Sequence, residues 1–179
     1  MDIDQEIAST LGFPKLDYVA VERERRWLCR DVPRELVAQT ETITDLYVSG
    51  GRLRLREARP IDGGTPRLRL SRKADADPQT RLITSIYLTE DEFAVLAASL
   101  PGVRIRKLRH RLKRTSDVLL AIDEFQAQHA GLLLLEAEFK TSEQLAAYAP
   151  PDFAGREVTD DPVFTGGHLA LNGLPPQTR

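Results

Sequence analysis

The sequence is poor in several things, and each shortage excludes a class of protein. Only one cysteine, Cys29, occurs in 179 residues. That excludes an intrachain disulfide framework and a cysteine-based zinc cluster. No stretch approaches the roughly 18 apolar residues of a membrane-spanning helix; the longest unbroken apolar run is Phe93 to Ala98. Met1-Asp2-Ile3-Asp4 is acidic and has no apolar h-region, so no signal peptide is expected and the expected location is cytoplasmic. Lys+Arg number 25 against 27 Asp+Glu, a formal net charge of -2, so no basic excess marks a nucleic-acid binder. Aromatics are 6%, too few for a base-stacking platform, and none lies in the basic segment 104–114. His110, His129 and His168 are not spaced as zinc ligands, and neither Gly63-Gly64 nor Gly166-Gly167 is followed by the Gly-Lys-Ser/Thr of a P-loop.

What is present is enough for one core: 41% hydrophobic and 29% charged residues, in a length that suits one domain. Residues 1–17 read as an N-terminal leader with a brief helix at Ile7–Leu11, and 18–175 as a single domain. The pattern over much of that domain has period 2, the mark of strands. Strands are expected over Tyr18–Leu28, Thr40–Val48, Arg52–Arg56, Arg67–Lys73, Thr80–Leu88, Val103–Lys113, Val118–Phe125 and Leu132–Phe139. Ser49-Gly50-Gly51 is a hairpin turn signal. Thr89 with Glu92 forms a capping-box pattern for a helix to about Ala98, and Thr141 opens a second helix. The tail from Asp152 reads as loop-rich, with a short helix around His168–Leu171. Eight strands with short connections favour an antiparallel sheet, giving an α+β fold: an eight-stranded antiparallel barrel with a few flanking helices.

The charges alternate in step with the strands. Glu22, Glu24 and Arg26 share one face, as do Arg54 and Arg56; Arg69, Ser71 and Lys73; and Lys107, Arg109 and Arg111. Glu136 and Glu138 share a face within the very apolar segment Leu132–Phe139, and Asp123 sits in an apolar strand. Carboxylates in such segments require cations, donors or a metal. A closed sheet would gather all of them in one polar lumen with the leucines outside. Arginine and lysine grip phosphate oxygens. Grouped carboxylates hold a hard cation, Mg²⁺ or Mn²⁺. Together they are the equipment of phosphoryl transfer. Trp27 and Phe125 read as core, Cys29 as inert, and Arg23, Arg25, Arg72 and Arg104 as outward and solvated; Tyr47 is placed near Arg26 in the lumen.

These segments resemble the CYTH-domain proteins, the triphosphate tunnel metalloenzymes. Glu22-Arg23-Glu24-Arg25-Arg26 is similar to their Glu-x-Glu-x-Lys signature. Leu53-Arg54-Leu55-Arg56, Leu70-Ser71-Arg72-Lys73, Arg106-Lys107-Leu108-Arg109, Ile122-Asp123-Glu124-Phe125, Leu135-Glu136-Ala137-Glu138-Phe139 and Gly155-Arg156-Glu157-Val158-Thr159 follow in the family's order. The resemblance implies a tunnel barrel hydrolysing a triphosphate with a divalent metal, inorganic tripolyphosphate first and nucleoside or thiamine triphosphate otherwise. It implies metal binding by Glu22, Glu24, Glu136 and Glu138 with Asp123 in support. It implies phosphate binding by Arg54, Arg56, Lys73, Lys107 and Arg109, with Arg26 and Lys107 as catalytic cations. The implied partner is a small triphosphate or polyphosphate, with no nucleic acid or membrane.

Three departures bear on this. Arg26 stands where the signature has lysine. Ile83 and Ser85 occupy the positions of a fifth-strand Glu-x-Glu. The C-terminal Pro162-Val163-Phe164-Thr165-Gly166-Gly167 lacks the family's lysine. Two alternatives follow: a non-catalytic polyphosphate- or nucleotide-binding module of the same fold, and a class IV adenylyl cyclase-like activity.

Overall fold

The computed structural model describes residues 3–114 and 116–175; Met1, Asp2, Thr115 and residues 176–179 lie outside that description. Its described strands are β1 (Ala20–Cys29), β2 (Val37–Val48), β3 (Leu53–Pro60), β4 (Arg67–Asp75), β5 (Thr80–Tyr87), β6 (Gly102–Leu112), β7 (Leu119–Phe125), β8 (Leu133–Phe139) and β9 (Ala154–Glu157). All neighbours are antiparallel, in the order β5-β4-β3-β2-β6-β7-β8-β1-β9, and a further β1–β5 pairing closes the first eight into a barrel. Its helices are α1 (Gln5–Thr10), α2 (Glu90–Ser99), α3 (Ser142–Ala147) and α4 (Gly166–Asn172). The expected barrel with flanking helices is the fold observed.

Local chemistry fixes the connections. Gly50 turns the β2–β3 hairpin at φ +76°, in the left-handed region that side chains disfavour. Thr89 and Glu92 cap α2 reciprocally, as their spacing predicts.

Closure depends on how β1 shares one edge. Its first half, Ala20 to Arg23, pairs with β5, and its end, Trp27 and Cys29, pairs with β9. Between them, Val158 N–H donates to Arg26 O and Arg26 N–H donates to the Thr159 hydroxyl. β9 therefore satisfies backbone groups that β5 does not reach. The sequence pattern gives no strand here. Ala154-Gly155-Arg156-Glu157 has no apolar alternation, and its partner lies more than a hundred positions away. Gly155 permits the approach, since a Cβ there would stand 2.7 Å from Leu28 O.

Two apolar layers lie outside the barrel. Trp27, Ile122, Leu135 and Phe139 pack under Leu145 of α3, and Leu82 and Ala74 pack under Ala8 and Phe13 of the N-terminal segment. Trp27 and Phe125 are core residues, as their pattern predicts. The third layer is internal. Ile105, Phe125 and Leu134 face inward at one end of the barrel, where Val158, Phe164 and Leu169 of the C-terminal segment cover them.

The outward arginines differ from expectation. They have the predicted parity but are not simply solvated. Arg25 donates to the Leu145 and Tyr148 carbonyls at the end of α3, Arg72 to Leu11 O at the end of α1, and Arg104 to Ala97 O near the end of α2. Cations at helix C-termini answer unpaired carbonyls and the negative end of the dipole.

Candidate active site

The barrel interior is a cavity with a predominantly ionic wall. It is lined by Glu22, Glu24 and Arg26 of β1; Tyr47 of β2; Arg54 and Arg56 of β3; Arg69 and Lys73 of β4; Arg81 of β5; Lys107, Arg109 and Arg111 of β6; and Glu136 and Glu138 of β8. Leu119, Leu120, Ala121, Phe125, Leu134, Phe164 and Gly166 form its apolar part. Of the expected site residues, only Asp123 is not in the wall. It is fully buried behind Lys107 and Arg109, accepting from Arg109 at 2.7 and 2.6 Å and from Lys107.

The cations and carboxylates are interleaved. Lys73 Nζ lies 2.6 Å from Glu22, and Arg81 lies 3.0 Å from Glu24. Arg109 bridges Asp123 and Glu136. Burial works against the charges of Glu22, Lys73, Arg81, Arg109, Asp123 and Glu136. At Asp123 the facing Arg109 and Lys107 overcome burial and hold the carboxyl well below its usual range. At Glu136 burial and the Asp123 carboxylate are outweighed by Arg109, with Lys107 and Arg26, and the carboxyl is lowered. At Lys73 burial, with Arg54 and Arg81 nearby, outweighs Glu22 and pulls the ammonium down to about 8.

Arg54 stands apart. It is buried, yet its Nε and Nη2 atoms have no hydrogen-bond partner, and its nearest carboxylate, Asp45, is 3.6 Å away. A guanidinium buried without a full set of acceptors is costly unless an anion completes it. Arg26 is tied at both ends of its fork. Its Nη1 and Nη2 donate to Phe164 O and Thr159 O at 3.1 and 3.0 Å, so it links the C-terminal segment to the lumen, while its Nε has no hydrogen-bond partner and Glu24 lies 3.7 Å from it.

Among the described residues no three histidine, cysteine or acidic side chains converge as a preformed metal site. The donor set nevertheless fits a hard divalent cation. The register of β1 on β8 sets Glu24 directly opposite Glu138, and Arg26 opposite Glu136. Like charges directly opposed destabilise a sheet unless a cation lies between them. Glu138 shows the strain: enclosure in the lumen, then the carboxylates of Glu22, Glu136 and Glu24, push its carboxyl up. All the candidates offer oxygen, the ligand Mg²⁺ and Mn²⁺ prefer.

Comparison with known proteins agrees with this geometry. No family model matches the chain. An inorganic triphosphatase of Nitrosomonas europaea is 31% identical over 87 residues, 49% of this chain and 58% of the relative. One from Acetivibrio thermocellus is 34% identical over 68 residues, 38% of this chain and 42% of the relative. These alignments thus span less than two thirds of either relative. The crystal structure of an inorganic triphosphatase superposes with a TM-score of 0.59 at 25% identity, covering 86% of this chain and 96% of that one. A Pyrococcus horikoshii protein shares the fold at a TM-score of 0.54 and 20% identity, over 70% of this chain and 82% of that one.

Several lumen residues escape the motifs. Asp45 is buried and accepts both Arg56 hydrogen bonds at 2.6 Å; Arg56 and Arg54 hold its carboxyl far below the usual range. Glu41 is fully buried between Arg67 and Arg111, and Arg81 pairs with Glu24. The parity of β2 carries the signal for the first two: Glu41, Ile43, Asp45 and Tyr47 share one face, and Tyr47 lines the cavity. The fifth-strand departure is structural as well. Ile83 is buried opposite Lys73, and Ser85 Oγ lies 2.7 Å from Ser71 Oγ, so two neutral contacts occupy the acid positions.

Proposed function

We infer that this chain is a CYTH-type triphosphate tunnel enzyme, hydrolysing a triphosphate with inorganic tripolyphosphate as the first candidate. The observation that carries this reading is the closed lumen. Arg54, Arg56, Lys73, Lys107 and Arg109 project into one space faced by Glu22, Glu24, Glu136 and Glu138. A small, highly charged anion is the ligand that such a wall discriminates best.

The residues divide the work. Arg54, with unsatisfied donors, takes phosphate oxygens directly. Arg56 is held rigid by Asp45, and Lys107 and Arg109 by Asp123, so these cations meet the phosphates without reorganising. Lys73 can exchange Glu22 for a phosphate oxygen. Arg26 keeps the C-terminal segment over the apolar end, which limits water there, and its charge stands beside Glu24. Glu22, Glu24, Glu136 and Glu138 would hold Mg²⁺ or Mn²⁺, which when bound would neutralise phosphate charge and polarise a water. Hydrolysis there forms one P–O bond from a water oxygen to the terminal phosphorus as the bridging P–O bond breaks, with the water's protons passing to the products and solvent, and gives orthophosphate and diphosphate.

The test is phosphate release from tripolyphosphate, ATP and thiamine triphosphate with Mg²⁺ or Mn²⁺. Release from tripolyphosphate supports the reading, and none from any of the three contradicts it. A second reading, capture without turnover, is favoured by one observation: the neutral Ile83 and Ser85 where the family has acids. Tight tripolyphosphate binding by calorimetry with no phosphate released would support it.

A further inference from the structure

A second cavity opens at the end of the lumen away from the C-terminal segment. It is lined by Arg67, Arg69, Tyr87 and Arg111, with Arg56 and Arg109 at its base and Ile43 and Ala58 in its wall. Arg56, Arg69, Arg109 and Arg111 line both cavities, so the two are continuous through one layer of arginines. Tyr87 is 72% exposed, and the side chains of Arg67 and Arg111 are 46% and 41% exposed. This end is therefore open to water.

The mouth is built rather than incidental. Glu41, fully buried on β2, accepts from Arg67 of β4 at 2.6 Å and from Arg111 of β6 at 3.1 Å. Arg67 reaches it across β3 because its strand neighbour there is the small Ala58. One buried carboxylate thus fixes two arginines from strands on either side, and their outer nitrogens face the opening. Arg69 lies between them and the lumen. Its Nε is buried without a partner, and no carboxylate pairs with it among the described residues. Burial, with Arg56 and Arg54 close by, pulls its guanidinium down to about 10. Three arginines set against one carboxylate leave a local cationic excess that an anion would neutralise.

We propose that Arg67, Arg69 and Arg111, positioned by Glu41, form a second anion subsite that takes the outer phosphate of a linear polyphosphate longer than three units. The inference rests on the triphosphate reading of the inner lumen and extends it: the inner cations hold three phosphates, and the mouth holds the next. Chain length, not a base or a sugar, is what this subsite recognises.

The test compares tripolyphosphate with tetrapolyphosphate by calorimetry on the full chain in EDTA, so that metal and turnover play no part. The wild type binds tetrapolyphosphate about tenfold more tightly, the gain of one further set of charged hydrogen bonds. The combined Glu41→Gln/Arg67→Gln/Arg111→Gln variant, which leaves no buried carboxylate unpaired, loses that preference. Arg69→Gln breaks no ion pair and relieves repulsion; it also narrows the preference, and it carries the test if the triple variant does not fold. Equal affinity of the wild type for the two chains overturns the proposal, as does an equal loss for both chains in the folded variants. The proposal and the functional reading fail separately. Tripolyphosphate turnover without a chain-length preference sinks only the subsite. A chain-length preference without turnover sinks only the hydrolase.

Discussion

Asp45 is a fully buried carboxylate whose whole environment is cationic, and it bears on stability more than on chemistry. Its folded carboxyl titrates far below the ordinary 3.8, because Arg56 and Arg54 together overcome burial. A depressed folded pKa contributes stability that is complete above the unfolded value and is lost as pH falls below it. Asp45→Asn should therefore cost about 3 kcal/mol at pH 7, since it leaves Arg56 buried and unpaired. The gap to wild type should narrow as pH drops below about 4. Urea melts at several pH values measure both effects. Arg54 makes a different prediction. Its Nε and Nη2 are unsatisfied in the free protein, and losing them offsets part of the lost attraction to Asp45, so Arg54→Met should lower the melting temperature less than Asp45→Asn does. The same change should weaken tripolyphosphate binding by about tenfold to a hundredfold, read by calorimetry. A residue that adds little to stability and much to affinity is expected where a site is organised for its ligand.

The same scale shows what the sequence made legible. Motif positions such as Glu22, Arg54, Lys107 and Glu138 could be assigned to the lumen because strict alternation sends every second residue inward. Glu41 and Asp45 obey that alternation too, but β2 is so rich in threonine that its two faces differ little in polarity. Arg81 is hidden similarly, because its inward neighbours on β5 are Ile83 and Ser85. Pairing partners such as Asp45 with Arg56 depend on register between strands, which no single strand reveals.

At the scale of elements, the outward arginines show how a barrel with a charged interior keeps its helices. The exterior carries the apolar surface, and α1, α2 and α3 are each joined to it by an arginine at the C-terminus. Arg25 does most: it meets the Leu145 and Tyr148 carbonyls, pairs with Glu157 of β9 at 2.7 Å, and lies 4.9 Å above the Trp27 ring. Arg25→Ala should destabilise the fold by about 2 kcal/mol, and hydrogen exchange should quicken in α3 and β9 before the rest of the barrel. Uniform quickening across all strands would show that Arg25 has no special tie to those elements. The sequence places Arg25 outward correctly but not its partners, because α3 and β9 lie more than a hundred residues on. The same distance hid β9 itself. A four-residue strand without apolar alternation exists only because β1 extends beyond β5 and needs a partner there.

For the whole molecule, a net charge of -2 conceals an interior in which cations from five strands surround a short run of carboxylates. On the proposed function that interior, and not the outer surface, selects the anion. Capture should weaken as salt rises, but less steeply than for an exposed basic patch, because buried charges are screened less. Tripolyphosphate binding between 50 and 500 mM salt, roughly the range over which the screening length halves or more, measures this. If the lumen hydrolyses a triphosphate by combining a carboxylate-held cation with the arginine wall, phosphate release from tripolyphosphate should depend on both the cation and Glu136. Release by wild type and by Glu136→Gln, each with Mg²⁺ and with EDTA, measures this. Wild type with Mg²⁺ should release phosphate, and none should appear in EDTA or from the folded Glu136→Gln variant. Release that persists in EDTA, or that survives the loss of Glu136, would contradict that dependence.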